Sequence, residues 1–436
     1  MTPTLLILVY YLFSGVTCDS TAESLTYGRI LTISLSDVAL NGTLPISIGN
    51  FQAMSTMLFY KCQIRGVLPI TVGQLTSIQS LNLEYNSLSG PVPTSYGNLL
   101  SLTQLSLTSN KLIGPIPDTI SALTNLRTLN ISFNLFAGSI PSFISGMTSL
   151  TNISLSRCYL TGTIPSTMGT LISLQMLDLS RNSLAGSIPT SFGNLLSLDN
   201  LRLAFNKLIG PIPDTISALT KLRRLVIGVN SITGSIPSSI GGMTSLIIIS
   251  LPLCSLTGTI PSTISALTSL EELSLSSNSL SGSIPTSLGN LLSFKAFILF
   301  LNKLTGPIPD EISALTKLRY LMIGSNSLSS SFPSYIVTFT SLIEIDLSRC
   351  SLSGTIPSTM SALTNLRSLY LSNNYLTMGS STSVPTSTFS SITLAETLEL
   401  ENNCLAFSTS APYPSRSVTA NHCRPTSKYQ VYYHVI

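Results

Sequence analysis

Apolar and polar positions repeat with one fixed period over most of the chain. Within a unit, leucine or isoleucine falls in the spacing LxxLxLxxNxLxGxIP, as Ile78, Leu81, Leu83 and Leu88 show. The alternating part of this spacing predicts a short strand with its leucines buried. A proline closes each unit and recurs every 24 residues, at Pro45, Pro69, Pro93, Pro117, Pro141, Pro165, Pro189, Pro213, Pro237, Pro261, Pro285, Pro309, Pro333 and Pro357. A period of this length predicts a solenoid of stacked units.

The spacing resembles the leucine-rich repeat, and its GxIP ending is similar to the plant-type subclass. The resemblance covers roughly residues 30–405. It implies an α/β solenoid, a leucine-rich repeat horseshoe of about 15 coils of 24 residues. One parallel β-sheet is expected on the concave face, and short helical or 3-10 segments and loops on the convex face. A fifteenth unit carries an insertion, because Pro385 lies 28 residues after Pro357, and a partial unit follows at Leu398.

The composition fits a single long solenoid domain. A mean hydropathy of +0.44 with only 9% charged residues would suit a membrane protein, but no internal stretch offers 18 consecutive apolar residues. We expect a signal peptide at 1–18, a short N-terminal cap at 19–29, the repeat domain at 30–403, and a C-terminal cap and tail at 404–436. The signal rests on the apolar run from Leu5 to Phe13, and a buried capping strand is the alternative.

These boundaries predict a secreted or cell-surface protein. This chain carries no transmembrane span, so membrane anchoring would need a missing C-terminal region. Cys404 and Cys423, which follow the last full coil, are predicted to form a disulfide that closes the C-terminal cap.

Four other cysteines occupy the Asn position of the motif and are spaced 96 residues apart, at Cys62, Cys158, Cys254 and Cys350. Four strand spacings correspond to roughly 19 Å, whereas a disulfide needs Cα atoms within about 7 Å. We therefore predict thiols that stand in an inward-facing asparagine ladder, where an amide or thiol satisfies backbone groups of the adjoining loop.

Blocks of four coils are duplicated within the chain, since Asn110–Thr124 and Asn206–Thr220 have identical sequences. The copies differ mainly at the x positions of LxxLxLxxN, which alternation turns outward on the sheet. Drift under relaxed constraint is one explanation. The resemblance favours another, adaptation to a partner, because leucine-rich repeat proteins hold their ligands on this sheet.

The predicted partner surface consists of outward positions that become apolar in the middle and later coils. A protein or glycan partner is expected there, with the arginines making charge-assisted contacts. The residues are Arg202, Phe205, Arg224, Val226, Val229, Ile248, Leu253, Ile298, Phe300, Leu301, Tyr320 and Met322. Three N-glycosylation sequons, predicted as glycan sites, begin at Asn41, Asn130 and Asn152.

Catalytic chemistry is not indicated by the sequence. The only histidines are His422 and His434 in the tail, no metal-ligand spacing is visible, and no cofactor motif or kinase signature occurs. The net charge of +4 is thinly spread, which argues against nucleic-acid binding. We therefore expect no enzyme, no cofactor and no metal, but a receptor-like recognition protein or surface antigen. The alternatives are a truncated ectodomain of a membrane-anchored receptor kinase and a structural coat protein without a specific ligand.

Overall fold

The computed structural model describes residues 16–18, 30–377 and 397–403. It divides into two compact units, Met1–Thr233 and Gly234–Ile436. Each unit is a stack of coils in which a short strand, a turn, a second extended segment and a 3-10 helix follow one another. Both units are therefore built from the element order that the repeat spacing predicts.

Stacking in register explains why the leucines recur every 24 residues. The strand Gln104–Ser106 pairs in parallel with strands 24 residues before and after it, so that Leu105 lies between Leu81 and Leu129. These leucines are at most 2% exposed. A single coil has no second layer to cover this row, and neighbouring coils therefore bury it together.

In the first unit, Val16–Cys18 runs antiparallel to Ile30–Ser36, and the remaining strands of that sheet are parallel. The parallel strands are Ile30–Ser36, Thr56–Tyr60, Ser80–Asn82, Gln104–Ser106, Thr128–Asn130, Asn152–Ser154, Met176–Asp178, Asn200–Arg202 and Arg224–Val226. Shorter parallel strands follow at Arg65–Val67, Ser87–Gly90, Lys111–Gly114, Leu135–Ser139, Tyr159–Thr161, Ile209–Gly210 and Ser231–Ile232. The 3-10 helices are Ile46–Asn50, Ile70–Gln74, Thr94–Asn98, Asp118–Ala122, Ser142–Gly146, Ser166–Thr170, Thr190–Asn194 and Asp214–Ala218.

In the second unit, the main parallel strands are Ile248–Ser250, Glu272–Ser274, Ala296–Ile298, Tyr320–Met322, Glu344–Asp346, Ser368–Tyr370 and Thr397–Glu399. Shorter strands lie at Ser281–Gly282, Lys303–Gly306, Ser327–Leu328, Ser353–Thr355 and Tyr375–Thr377. The 3-10 helices are Ser238–Gly242, Ser262–Ala266, Thr286–Asn290, Asp310–Ala314, Ser334–Thr338 and Ser358–Ala362. The last pairing joins Leu369 to Leu398 across 29 residues, as expected for a coil with an insertion.

The repeat prolines mark the start of each 3-10 helix. Pro93, for example, precedes Thr94–Asn98 with φ −63°, the value that its ring imposes. Glycine within these helices permits close packing of neighbouring coils. A Cβ added to Gly97 would lie 2.4 Å from the carbonyl oxygen of Thr119 in the next 3-10 helix.

An asparagine ladder holds the turn that follows each strand. Nδ2 of Asn110 donates to the carbonyl oxygens of Leu83, Leu107 and Thr108 at 2.9, 3.0 and 3.3 Å. Its Oδ1 accepts a hydrogen bond from the amide of Leu88 at 2.9 Å. One buried side chain thus satisfies backbone groups of its own coil and of the preceding coil, which fastens the two coils together.

The residue before each ladder position adopts a left-handed conformation. Its φ lies between 50° and 58° in every described coil, including Phe205, Val229 and Leu301. This conformation is uncommon for residues other than glycine and is an outlier for a β-branched residue such as Val229. The ladder hydrogen bonds fix this turn regardless of which side chain occupies it.

The predicted leucine-rich repeat solenoid, with parallel strands and short 3-10 segments, is confirmed. The proposed cleavage of residues 1–18 stays a prediction. The strand at Val16–Cys18 is what the alternative of a capping strand expects for these three residues. The caps at 19–29 and 404–436, and the disulfide between Cys404 and Cys423, lie outside the described residues.

Candidate functional site

The solvent-facing side of each sheet consists of side-chain columns that run from coil to coil. Two columns come from the first and third residues of each strand, such as Asn200 and Arg202, and flank a buried leucine. A third outward column was expected at Thr108 and Ala204, but these side chains are only 7% and 6% exposed. The strands end two residues earlier, and strict alternation does not extend beyond a strand end. Exposure in this column depends on the side chain, because Phe300 at the equivalent position is half-exposed.

In the first unit, all five predicted partner residues reach the surface. Arg224 is exposed, and Arg202, Phe205, Val226 and Val229 are half-exposed. Strand register places Arg202 beside Val226, and Nε of Arg202 donates to Oδ1 of Asn200 at 3.2 Å. Phe205 and Val229 lie in the left-handed column at the strand ends.

In the second unit, the predicted residues divide into two groups. Ile248 and Leu253 are half-exposed, and the following coil presents Glu272 with the buried Ser274 and Ser276. The next two coils carry five half-exposed apolar side chains. We call them the apolar patch: Ile298, Phe300, Leu301, Tyr320 and Met322.

Register makes the apolar patch continuous and gives it an acidic border. Ile298 pairs with Met322, and the next strand places Asp346 beside Met322 and Glu344 beside Tyr320. Burial raises the pKa of Asp346, and hydrogen bonds from Ser348 oppose this shift. A surface of this composition suits a partner with apolar and basic side chains.

The ladder cysteines behave as the sequence predicts. Cys62, Cys158 and Cys350 are buried free thiols, and Cys254 is half-exposed. Sγ of Cys158 lies 3.6 Å from the carbonyl oxygen of Ile131, a longer contact than asparagine makes at this position. Burial raises the pKa of Cys158 and of Cys350 to about 11, which keeps both thiols protonated and unreactive at neutral pH.

The three sequons differ in exposure. Asn41 is exposed, whereas Asn130 and Asn152 are half-exposed at the outward positions of neighbouring strands. Nδ2 of Asn130 donates to Oε1 of Glu84 at 3.2 Å. Glycosylation at all three sites stays a prediction.

Sequence reasoning assigned Phe205, Val229, Leu253 and Leu301 to the partner surface but missed other aromatic and basic residues of the left-handed column. At its start, Nζ of Lys61 lies 3.7 Å from Oδ1 of Asp37 and 5.3 and 5.9 Å from the ring centroids of Tyr60 and Tyr85. A shallow depression of about 530 Å³ adjoins them, lined by Asp37, Lys61, Gln63, Tyr85, Asn86 and Ser109. The signal was present in the sequence as aromatic and basic residues that recur just before the ladder position.

Farther along the column, arginines stack on phenylalanines of adjacent coils. The guanidinium carbon of Arg157 lies 4.8 Å from the Phe133 ring centroid, and that of Arg181 lies 4.0 Å from the Phe205 centroid. Phe205 had been assigned to the partner surface, but Phe133 had not. The distances depend on side-chain conformations that the spacing alone does not specify.

Metal sites and membrane-spanning helices are both absent from the described ranges. Across 16–18, 30–377 and 397–403, no group of three His, Cys, Asp or Glu residues is arranged to hold a metal ion. None of the helices in the same ranges has the length and apolarity needed to cross a membrane.

The parallel coils, the inward asparagine ladder and the variable outward columns define a repeat solenoid of the kind that presents a ligand-binding face. The family profile described as "Leucine rich repeat" matches residues 148–208 and 316–376. A single-repeat profile of the same description matches 77–99, 101–123, 125–147, 269–291 and 365–389. The chain belongs to the leucine-rich repeat family.

Solved structures also show that this chain is similar to leucine-rich repeat proteins. The plant peptide hormone receptor RGFR1, in complex with RGF2, is 35% identical over 85% of this chain and 58% of its own, with a TM-score of 0.79. The ectodomain of the Arabidopsis thaliana receptor kinase GASSHO1/SCHENGEN3, in complex with CASPARIAN STRIP INTEGRITY FACTOR 2, is 28% identical over 91% and 55%, with a TM-score of 0.68. A leucine-rich repeat protein of Leptospira interrogans is 30% identical over 76% and 81%, with a TM-score of 0.63.

The chain thus spans little more than half the length of the two plant receptors. A comparison with curated protein sequences gives no significant match. The fold and family are shared with plant receptors in complex with RGF2 and with CASPARIAN STRIP INTEGRITY FACTOR 2, and these complexes do not identify the partner of this chain.

Proposed function

We propose that this chain is an extracellular or cell-surface recognition protein that binds a polypeptide ligand on the solvent-facing side of its sheet. The observation that carries the proposal is the apolar patch, in which five half-exposed apolar side chains lie on two consecutive coils. Contiguous apolar surface of this kind commonly marks an interaction site. The duplicated blocks keep their buried frame and change these outward residues, as expected for adaptation to a partner.

A polypeptide fits the patch better than a glycan does. Tyr320 and Phe300 offer large apolar contact area, and Glu344 and Asp346 border them with carboxyl groups. Aromatic anchors with a charged rim are typical of protein interfaces. The plant peptide hormone receptor RGFR1, in complex with RGF2, supplies the analogy of a receptor for a peptide.

The proposal is tested by affinity capture from the native extracellular medium, followed by mass spectrometry. The wild-type chain is compared with the double variant Phe300→Ser/Tyr320→Ser. The matched control is Leu292→Ser, which removes an apolar side chain that is 58% exposed and lies outside the sheet strands. We expect a polypeptide that the wild type and the control retain and that the double variant loses.

Thermal unfolding of the variants separates lost binding from lost folding. A double variant that retains the partner, or a control that loses it equally, contradicts the assignment of the patch. Capture of no partner by a folded wild-type chain would instead favour the structural coat protein.

A further inference from the structure

A second cluster of surface aromatic and basic side chains lies in the first unit, in the left-handed column. Four consecutive coils present Phe133, Arg157, Arg181 and Phe205 at equivalent positions, with φ between 50° and 58°. Phe133 is 46% exposed, Arg157 is exposed, and the other two are half-exposed. We call these four residues the arginine row.

The two arginines of the row turn away from each other. Arg157 stacks on the phenylalanine of the preceding coil and Arg181 on that of the following coil, at 4.8 and 4.0 Å. Coils are spaced by about 4.8 Å, so the two rings are roughly 14 Å apart. Each guanidinium group lies within about 5 Å of its ring, so the two groups are roughly 6–14 Å apart. Like-charge repulsion between adjacent coils favours this divergent arrangement.

Both guanidinium groups are available to a ligand. Across the described ranges, neither makes an ion pair within 4.0 Å. The carboxylate of Asp178, in the coil of Arg181, accepts hydrogen bonds from the amide and hydroxyl of Ser180. A ring covers one face of each guanidinium and limits its movement, while the N–H edges stay open to an anion.

Small residues lie beside the row on the strand side. Ser132 and Ser156 are 3% and 5% exposed and hydrogen-bond to each other at 3.2 Å. Backbone of a bound chain can therefore lie next to the row while its side chains reach the arginines.

We propose that the arginine row binds an extended acidic polypeptide that runs across the coils, with carboxylates at positions i and i+4 paired to Arg157 and Arg181. An extended chain advances about 3.3 Å per residue, so four residues span roughly 13 Å and place both side chains on one face. A sulfated glycan is less well matched, because the guanidinium groups already cover the ring faces on which a sugar would stack. This surface is argued independently of the apolar patch, so either proposal can fail without the other.

The test measures binding of synthetic peptides by fluorescence anisotropy at low ionic strength. One eleven-residue probe of Gly, Ser and Thr carries two Asp residues at i and i+4, and a second has the same composition with adjacent Asp residues. Protein without N-glycans is used, because Asn130 and Asn152 lie in the coils of the row. We expect the i, i+4 probe to bind about tenfold more tightly, since only this probe reaches both arginines.

Variants locate the site. Arg157→Gln and Arg181→Gln are each expected to weaken binding of the i, i+4 probe about tenfold, and Phe133→Leu severalfold, because Arg157 loses its stacking partner. Arg127→Gln is the control, since it removes an exposed arginine from the same unit and should leave affinity within about twofold.

Three results would overturn the proposal. The first is equal affinity for the two probes, and the second is equal weakening by Arg127→Gln and Arg157→Gln, which would indicate non-specific charge attraction. The third is binding of a heparin oligosaccharide, lost in Arg157→Gln and Arg181→Gln, with no binding of either peptide. That outcome would identify the row as a sulfated-glycan site.

Discussion

Removal of one ladder asparagine should destabilise two coils at once. Asn134 is 3% exposed, and its Nδ2 donates to the carbonyl oxygens of Leu107, Ile131 and Ser132 at 2.9, 3.0 and 3.2 Å. Its Oδ1 accepts a hydrogen bond from the amide of Leu112 at 3.0 Å. Asn134→Ala leaves that amide buried without a partner, at about 1–3 kcal/mol, whereas the carbonyl oxygen of Leu107 still accepts a hydrogen bond from Nδ2 of Asn110 at 3.0 Å. We therefore expect a local destabilisation of about 2 kcal/mol.

Hydrogen–deuterium exchange is the suitable assay, because a repeat array need not unfold in one step. A loss of about 2 kcal/mol corresponds to exchange that is roughly thirtyfold faster at the amide of Leu112. Asn134→Cys should have a smaller effect, since the chain itself places a buried thiol at Cys158, where Sγ contacts the carbonyl oxygen of Ile131 at 3.6 Å.

The control is Asn125→Ala, which removes an exposed side chain whose Nδ2 donates to the carbonyl oxygen of Leu100 at 3.0 Å. Its effect should stay within about 0.5 kcal/mol. If exchange in Asn134→Ala accelerates less than about tenfold, equivalent to 1.4 kcal/mol, or no more than in Asn125→Ala, the ladder does not fasten the coils as argued.

Three further predictions concern packing, thiol chemistry and pH. Gly97→Ala should destabilise the first unit by about 1–3 kcal/mol, because the new Cβ meets a backbone carbonyl of the next coil. Gly146→Ala, which meets nothing within 4 Å, should be neutral or slightly stabilising in the same thermal melts. Cys158 and Cys350, whose pKa values burial raises to about 11, should resist maleimide at pH 7 until the chain unfolds, and rapid native labelling would contradict their burial. The raised pKa of Asp346 means that the folded state binds this proton more tightly than the unfolded state, so stability should fall as pH rises above the ordinary aspartate range. Asp346→Asn should flatten that fall in melting temperature, and an unchanged pH profile would refute this cause.

The fold was predictable because its determinants are periodic and local. A proline every 24 residues sets the coil length, and the pairing of Leu105 with Leu129 follows directly from it. The inward direction of the ladder was also predictable, since Asn and Cys at one position share a buried environment. Each coil then repeats the same local structure and stacks on the coil before it, so the topology does not depend on contacts between segments that are distant in sequence.

The site was predictable only in part. Exposure of Tyr320 follows from strand alternation, but the burial of Thr108 and the exposure of Phe300 at the equivalent position do not, because the backbone leaves the extended conformation before both residues. The stacking of Arg157 on Phe133 depends on rotamers and on the coil spacing together. The positive φ of the residue before each ladder position could not be predicted either, because valine or phenylalanine there does not indicate a left-handed turn.

The left-handed conformation of the column explains how the surface residues can change while the fold stays the same. A left-handed residue other than glycine costs roughly 1–2 kcal/mol, and Val229 adopts φ 58° even though it is β-branched. The next residue, Asn230, donates to the carbonyl oxygens of Leu203 and Ile227 at 3.1 and 2.6 Å and accepts the amide of Leu208 at 2.9 Å. Leaving such buried groups without partners would cost more than the strained turn does. The backbone of the column is therefore held by its ladder neighbour, and its side chains are free to vary without loss of the fold.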